Sequence, residues 1–181
     1  MGKYQTIKGQ KNSSETVGTN EWFTPLEIIY NIQDFYQKTG FLDAASSDLA
    51  QEYVAATKYF TEKDNSLHKI WDYHSIWLNP PYSYPEIRRF VRKALFEFFK
   101  MRSCKEITLL VNANTETQWF QELAQECSVR IDICGRLKFW HPNKKMGRNP
   151  SGQCLFYFGD RTTEFINQFG KLGLAYRKPL Q

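Results

Sequence analysis

Residues 75–82, Ser75-Ile76-Trp77-Leu78-Asn79-Pro80-Pro81-Tyr82, set a short apolar run directly against a proline-rich stop. The first four read as a strand, and the prolines end it, because proline cannot donate to a ladder and turns the preceding residue away from helix. Working outward, Pro85 opens a helix in which Ile87, Phe90, Val91, Ala94, Leu95 and Phe98 recur at helical spacing, with Arg88, Arg89, Arg92 and Lys93 on the other side. Ile107 to Val111 is a continuous apolar run of the kind covered on both faces in a parallel sheet. Thr115-x-x-Gln118 then reads as a capping box that starts another helix. On the N-terminal side, Thr24-Pro25-Leu26-Glu27 reads as N-cap, first helical residue and capping-box closure of a helix reaching about Lys38. A strand at Phe41 to Asp43, a small-residue loop from Ala44 to Ser47, a helix from Leu49 to Ala56 and an extended Lys58 to Thr61 follow. Val129 to Cys134 and Leu155 to Phe158 are late strands, separated by a polar segment, His141 to Gly152, expected to be an exposed loop. Strands alternating with helices predict an α/β domain with a largely parallel sheet, trimmed on the side supplied by the short interval from Ser47 to Ser75. Ligands in such sheets bind beyond the carboxyl ends of the strands.

Residues 1–19 carry scarcely an apolar side chain and are expected to form a mobile polar tail; residues 20–160 form the domain and 161–181 a C-terminal helix and tail. The 181 residues, 41% hydrophobic and 16% aromatic, suit one core. With 24 Lys and Arg against 19 Asp and Glu, the net charge of +5 favours a polyanionic partner, nucleic acid first. No apolar run approaches the roughly 18 residues of a membrane span, and the N-terminus lacks the apolar core of a signal peptide, so a soluble protein inside the cell, with no membrane partner, is expected. Cys104, Cys127, Cys134 and Cys154 show no CxxC pairing; they read as reduced core residues, with no metal site and no disulfide framework. His68, His74 and His141 are scattered and are assigned no chemistry.

The tetrad Asn79-Pro80-Pro81-Tyr82 stands where the sheet ends, at the rim where ligands sit. Two successive prolines hold φ, so the amide oxygen of Asn79 and the carbonyl of Pro80 can form a rigid pair of acceptors. Such a pair suits a planar amine. An amine on an aromatic ring that gives both hydrogens to it has its lone pair drawn out of conjugation, and Tyr82 can stack on the ring. A sulfonium methyl group in line on the other side would then transfer without a strong general base, through positioning and preorganised dipoles. The same four residues also serve as a plain stop between strand and helix. Asp43 reads equally as a turn or N-cap carboxylate and as a cofactor ligand. Ser46 and Ser47 can cap the next helix and still face a ligand.

In these blocks the chain resembles the phage-type DNA adenine-N6 methyltransferases, the phage Dam family, over roughly residues 20–160. Asn20 to Pro25 is similar to the family's opening block, and Phe41-Leu42-Asp43-Ala44-Ala45-Ser46-Ser47 to its acidic, serine-rich cofactor loop, with Ala44 where the family usually carries proline. Tyr59-Phe60-Thr61 and Asp64 to Leu67 resemble the segment after it, and Leu78 to Ser83 the catalytic block. Leu109 to Ala113, Thr117 to Phe120, Gly135 to Phe139, Ser151-Gly152 and Phe156 to Gly159 recur in the family's order. The resemblance implies a compact Rossmann-like fold that takes a methyl group from S-adenosylmethionine, without a metal, and places it on N6 of adenine in DNA after base flipping. By the same resemblance, Asn79, Pro80, Pro81 and Tyr82 form the catalytic block, with Asn79 and Pro80 accepting from the amine and Tyr82 stacking on the base. Asp43, Ser46 and Ser47 hold the cofactor, with Thr24 and Pro25 closing its pocket and Asp64 a further contact. Arg136, Lys138, Lys144, Lys145 and Arg148 are expected to grip DNA phosphates. A phage or prophage origin, a place in the bacterial host's cytoplasm and a link to restriction-modification follow from the same likeness, while the oligomeric state stays open, with a monomer compatible. Two other readings share the residues: a methyltransferase for another planar amine, in protein glutamine or RNA guanine, and a non-catalytic DNA-binding protein on the same fold.

Overall fold

The computed structural model of the chain describes residues 23–141, 144–148 and 151–178, with the backbone alone described at 141 and 144–148. Helix α1 (Leu26–Tyr36) leads to strand β1 (Leu42–Ser46), helix α2 (Asp48–Val54) and strand β2 (Lys58–Thr61). After two short 3-10 turns come β3 (Ser75–Leu78), α3 (Glu86–Leu95) with a π-helical extension over Phe96–Met101, β4 (Glu106–Asn112) and α4 (Gln118–Glu126). The chain then runs through β5 (Val129–Ile133), β6 (Lys138–His141), β7 (Lys144–Arg148), β8 (Gln153–Phe158), α5 (Thr162–Phe169) and β9 (Gly173–Arg177).

Seven strands form one sheet in the order β2-β1-β3-β4-β8-β5-β9. The half built from β2, β1, β3 and β4 is parallel, as expected, and the half built from β8, β5 and β9 continues it antiparallel. The interval from Ser47 to Ser75 contributes only β2, the outer strand of the parallel half. Alternation explains the continuous apolar runs. Ile76 and Leu78 of β3, with Ile107, Leu109 and Val111 of β4, join a core under α3 and α4 that includes Phe90, Trp119 and Phe120. Trp77 and Leu110, between them, face the opposite core with Ile28 and Ile32 of α1 and Phe165 and Phe169 of α5. A strand buried on both sides carries apolar residues on both faces, and Ile76 to Leu78 of β3 and Leu109 to Val111 of β4 do so.

Several expectations are corrected. The segment His141 to Gly152 is no loop: Lys138–His141 and Lys144–Arg148 pair antiparallel as a hairpin with a register shift between Phe139 and His141. Its polar composition follows from pairing outside the main sheet, which asks no strand face to be apolar. The C-terminal segment holds α5 and also β9, paired along β5 from Val129 to Ile133. Helix α1 is capped by Pro25 without a side-chain bond, so the capping box of Thr24 and Glu27 does not form; the Thr24 hydroxyl is engaged elsewhere, as shown below. Helix α4 begins at Gln118 after Thr117, whose hydroxyl bonds Asn114, so Thr115 is not its cap. Cys104, Cys127 and Cys154 are buried free thiols, but Cys134, just past β5, is exposed. The expected tail at 1–19, and residues 20–22 of the opening block, lie outside the described residues. Among the described residues no helix is long and apolar enough to cross a membrane.

Candidate active site

The carboxyl ends of β1, β2, β3 and β4 open onto one cavity of about 890 Å³, within the range that small-molecule sites occupy. Asp43, Ser46 and Ser47 line it from β1 and the turn that follows, Glu62 from the end of β2, Asn79, Pro80, Pro81 and Tyr82 from the end of β3, and Asn112 from the end of β4. Phe23 and Thr24 before α1, and Phe139 and Trp140 from β6, close it from the side.

Asn79 is held at both ends of its amide. Its Nδ2 donates to Thr24 Oγ1 at 2.8 Å, and its Oδ1 accepts from the Tyr82 hydroxyl at 2.7 Å. Thr24 is buried, and the bond across 55 residues is why its hydroxyl is unavailable to cap α1. The Tyr82 hydroxyl points inward, also within 3.1 Å of Gln153 Oε1 and 3.3 Å of the Leu110 carbonyl oxygen, while its ring meets Phe139 edge-on. Burial raises its pKa, so the hydroxyl keeps its hydrogen.

Asp43 ends up buried because β1 is an inner strand, with β2 on one side and β3 on the other. Burial pushes its carboxyl up to about 7, against bonds from its surroundings that favour the charged form. One of those comes from Gln51 of α2, whose Nε2 donates to Asp43 Oδ2 at 2.9 Å and to Ser46 Oγ at 2.7 Å. Gln51 Oε1 accepts from the Ala56 amide at 2.9 Å, so this side chain is fixed and holds acid and serine together. Ser47 caps α2, its Oγ accepting from the Ala50 amide at 3.3 Å.

Two expected cofactor residues lie apart. Pro25 is outside the cavity lining, and so is Asp64, whose carboxylate accepts from the Thr61 amide at 2.7 Å and the Thr61 hydroxyl at 2.8 Å. Those bonds close a capping box on the turn after β2 and hold the Asp64 carboxyl below its ordinary pKa. The acid that does line the cavity there is Glu62. Sequence reading missed it, along with Gln51 and Gln153; for Glu62 its place one residue after the strand was an available signal.

The expected phosphate-gripping residues lie on and just before the β6–β7 hairpin, and among those with described side chains neither Arg136 nor Lys138 lines the cavity. Arg136 and Lys138 are exposed, and the hairpin register sets Lys138 opposite Arg148 and His141 opposite Lys144. Lys145 lies on the same strand. The hairpin is tied to the cavity by Trp140, whose backbone bridges Phe23 with bonds of 2.8 and 3.2 Å. The Trp140 ring packs on Phe23 and on Tyr53 of α2, each at 4.8 Å between centroids. Its indole Nε1 is buried with no acceptor among the described residues.

Comparison with known proteins agrees with this architecture. The solved structure of a candidate RNA methyltransferase from Pyrococcus horikoshii superposes with a TM-score of 0.53 at 15% identity, covering 85% of this chain and 92% of that one, a likeness of fold. The DNA N-6-adenine-methyltransferase of Escherichia phage T1 is 36% identical over 113 residues, 62% of this chain and 44% of that protein. The DNA N-6-adenine-methyltransferase of Haemophilus phage HP1 is 27% identical over 111 residues, 61% of this chain and 60% of that protein. The matched stretch thus spans less than two thirds of either relative. The family model of the DNA N-6-adenine-methyltransferases (Dam) matches residues 11–172, nearly the whole chain, and the chain therefore belongs to that family.

Proposed function

We propose that the chain transfers a methyl group from S-adenosylmethionine to the N6 amine of adenine in DNA. The observation that carries this reading is Asn79, set at the end of β3 in the wall of the cavity that also holds Asp43, with its amide orientation fixed by Thr24. An amide pinned through its nitrogen keeps its oxygen where an entering amine can use it, and Pro80 beside it supplies a second carbonyl. Preorganised acceptors of this kind need no reorganisation when the amine nitrogen begins to bond, so no strong base is required. Tyr82, anchored by its hydroxyl, keeps its ring in the same wall, where an adenine would stack.

The cavity fits the methyl donor in size and donor set. When bound, S-adenosylmethionine supplies an electrophilic methyl group on a sulfonium. Asp43, a buried acid without a cationic partner among the described residues, would hold the positively charged methionine end, with Ser46, Ser47 and Thr24 beside it. Glu62 is placed to accept from ribose hydroxyls, as acids beyond a sheet's second strand do. Because Asn79 is half-buried in a cavity, adenine must leave the base stack to reach it, at a few kcal/mol of lost stacking and pairing. Arg136, Lys138, Lys144, Lys145 and Arg148 would hold the phosphates meanwhile.

The test is methyl transfer from labelled S-adenosylmethionine to unmethylated DNA, with RNA and protein offered as parallel acceptors, followed by digestion to nucleosides or amino acids. Label in N6-methyl-2′-deoxyadenosine, lost on Asn79→Ala, is the expected outcome. Label confined to RNA guanine or protein glutamine, or no transfer, would sink the reading; DNA binding without cofactor binding would favour the non-catalytic one.

A further inference from the structure

The Tyr82 hydroxyl has one hydrogen and three oxygens around it: Asn79 Oδ1 at 2.7 Å, Gln153 Oε1 at 3.1 Å and Leu110 O at 3.3 Å. Only one of them can receive it, and by distance Asn79 does. That is the oxygen the proposed reaction needs for the target amine. With the Tyr82 hydrogen on it, Asn79 Oδ1 offers an incoming N–H one lone pair instead of two, and a less basic one.

Gln153 sits behind this pair. It is 1% exposed, opens β8 opposite Asn112 of β4, and is outside the cavity lining. Its Nε2 donates to Asn112 Oδ1 and to the Gly152 carbonyl, which fixes the amide and leaves Oε1 facing the Tyr82 hydroxyl. An apolar residue would fill this place without the cost of burying an amide; the amide that stands here instead gives the Tyr82 hydroxyl a second acceptor. Turning the Tyr82 O–H about its C–O bond moves the hydrogen from Asn79 to Gln153 with the ring in place.

Resting on the function proposed above, we infer that Gln153 is a positioning residue that takes over the Tyr82 hydroxyl hydrogen when the target amine arrives, releasing Asn79 Oδ1 to it. No covalent bond forms or breaks in this exchange; one hydrogen bond is traded for another. It acts through Tyr82, so its effect must vanish when that hydroxyl is absent.

A double-mutant cycle reads this directly. Single-turnover methyl transfer from labelled S-adenosylmethionine to unmethylated DNA is measured for the wild type, Gln153→Met, Tyr82→Phe and the double variant, with thermal melts and the KM for both substrates. Gln153→Met is expected to slow transfer about tenfold with both KM values within about twofold, whereas in the Tyr82→Phe background it changes the rate by less than about twofold. A purely structural role would slow both backgrounds alike. Equal loss in both, or no loss in the wild-type background, overturns the inference while leaving the methyltransferase reading intact. Absence of transfer by the wild type overturns both. Should Gln153→Met fail to fold, Gln153→Asn takes its place in the same cycle, because it keeps an amide beside Asn112 but ends short of Tyr82.

Discussion

At Asp43 burial and charge oppose each other, and the balance has a measurable sign. Burial lifts the carboxyl to about 7, so between roughly pH 4 and 7 the folded protein keeps a proton that the unfolded chain has released. Stability of the cofactor-free protein therefore falls as pH rises through that window, by at most about 1.4 kcal/mol per pH unit from this group. Asp43→Asn removes that dependence. Urea unfolding at pH 5 and pH 8 should show the variant more stable than the wild type at both, with the advantage larger at the higher pH. On the proposed function, binding would reverse the benefit: the sulfonium and ammonium of S-adenosylmethionine would favour the carboxylate, so the wild type should release a proton on binding near pH 6.5, and the variant should bind weakly and release none. Calorimetry in two buffers of different ionisation enthalpy measures the proton count. A wild type that binds with no proton exchange would remove Asp43 from the cofactor's charged end.

At the scale of elements, β3 and β4 were legible in the sequence, because burial on both faces leaves apolar runs at Ile76 to Leu78 and Leu109 to Val111. What stayed hidden depends on partners distant in the chain. Thr24 looked like a helix cap until Asn79 claimed its hydroxyl, and Gln153 acquires meaning only from a register that sets it against Asn112 and Tyr82. Strand β9 is an edge strand with Leu174 and Tyr176 exposed, so no hydrophobic pattern announces it. The β6–β7 hairpin was obscured by its polar composition, yet its existence sharpens the expected DNA interaction, since a paired ribbon fixed by Trp140 carries its charges as one unit. Replacing Lys138, Lys144, Lys145 and Arg148 by Gln should weaken DNA binding and flatten the plot of log affinity against log salt by about 0.9 for each phosphate that is no longer neutralised. The single-turnover rate at saturating DNA should change little. Fluorescence anisotropy over a salt series checks the slope, and an unchanged slope would place the DNA elsewhere.

Across the whole molecule, the two edges of the sheet divide the work. The carboxyl ends of β3 and β4 carry Asn79 and Asn112 at the cavity; their amino ends carry Ser75 and Glu106. Glu106 is 2% exposed, and its carboxylate accepts from the hydroxyls of Ser75 at 2.9 Å and Tyr157 at 2.8 Å and from Arg161 Nη1 at 3.2 Å. Arg161 also donates to the Phe35 carbonyl at 3.1 Å and lies 4.3 Å over the Phe35 ring, so it ties α1, β4 and the start of α5 into one body. Arg161→Met should leave a buried carboxylate without its cation. Breaking such a pair costs about 3–5 kcal/mol when both charges are buried; with the Arg161 side chain 37% exposed, solvent screening lowers the expectation to about 2 kcal/mol. Glu106→Gln should cost less, because the amide still meets Ser75 and Tyr157. Four strand residues of about 3.3 Å each, from Ser75 to Asn79, put this cluster roughly 13 Å from the reacting groups, so the transfer rate per folded molecule should stay at the wild-type value. Urea unfolding and single-turnover transfer on the same Arg161→Met preparation test both halves of the statement. A slowed reaction in a fully folded sample would mean that the amino edge of the sheet sets the geometry of Asn79, and that stability and chemistry are not separable along β3.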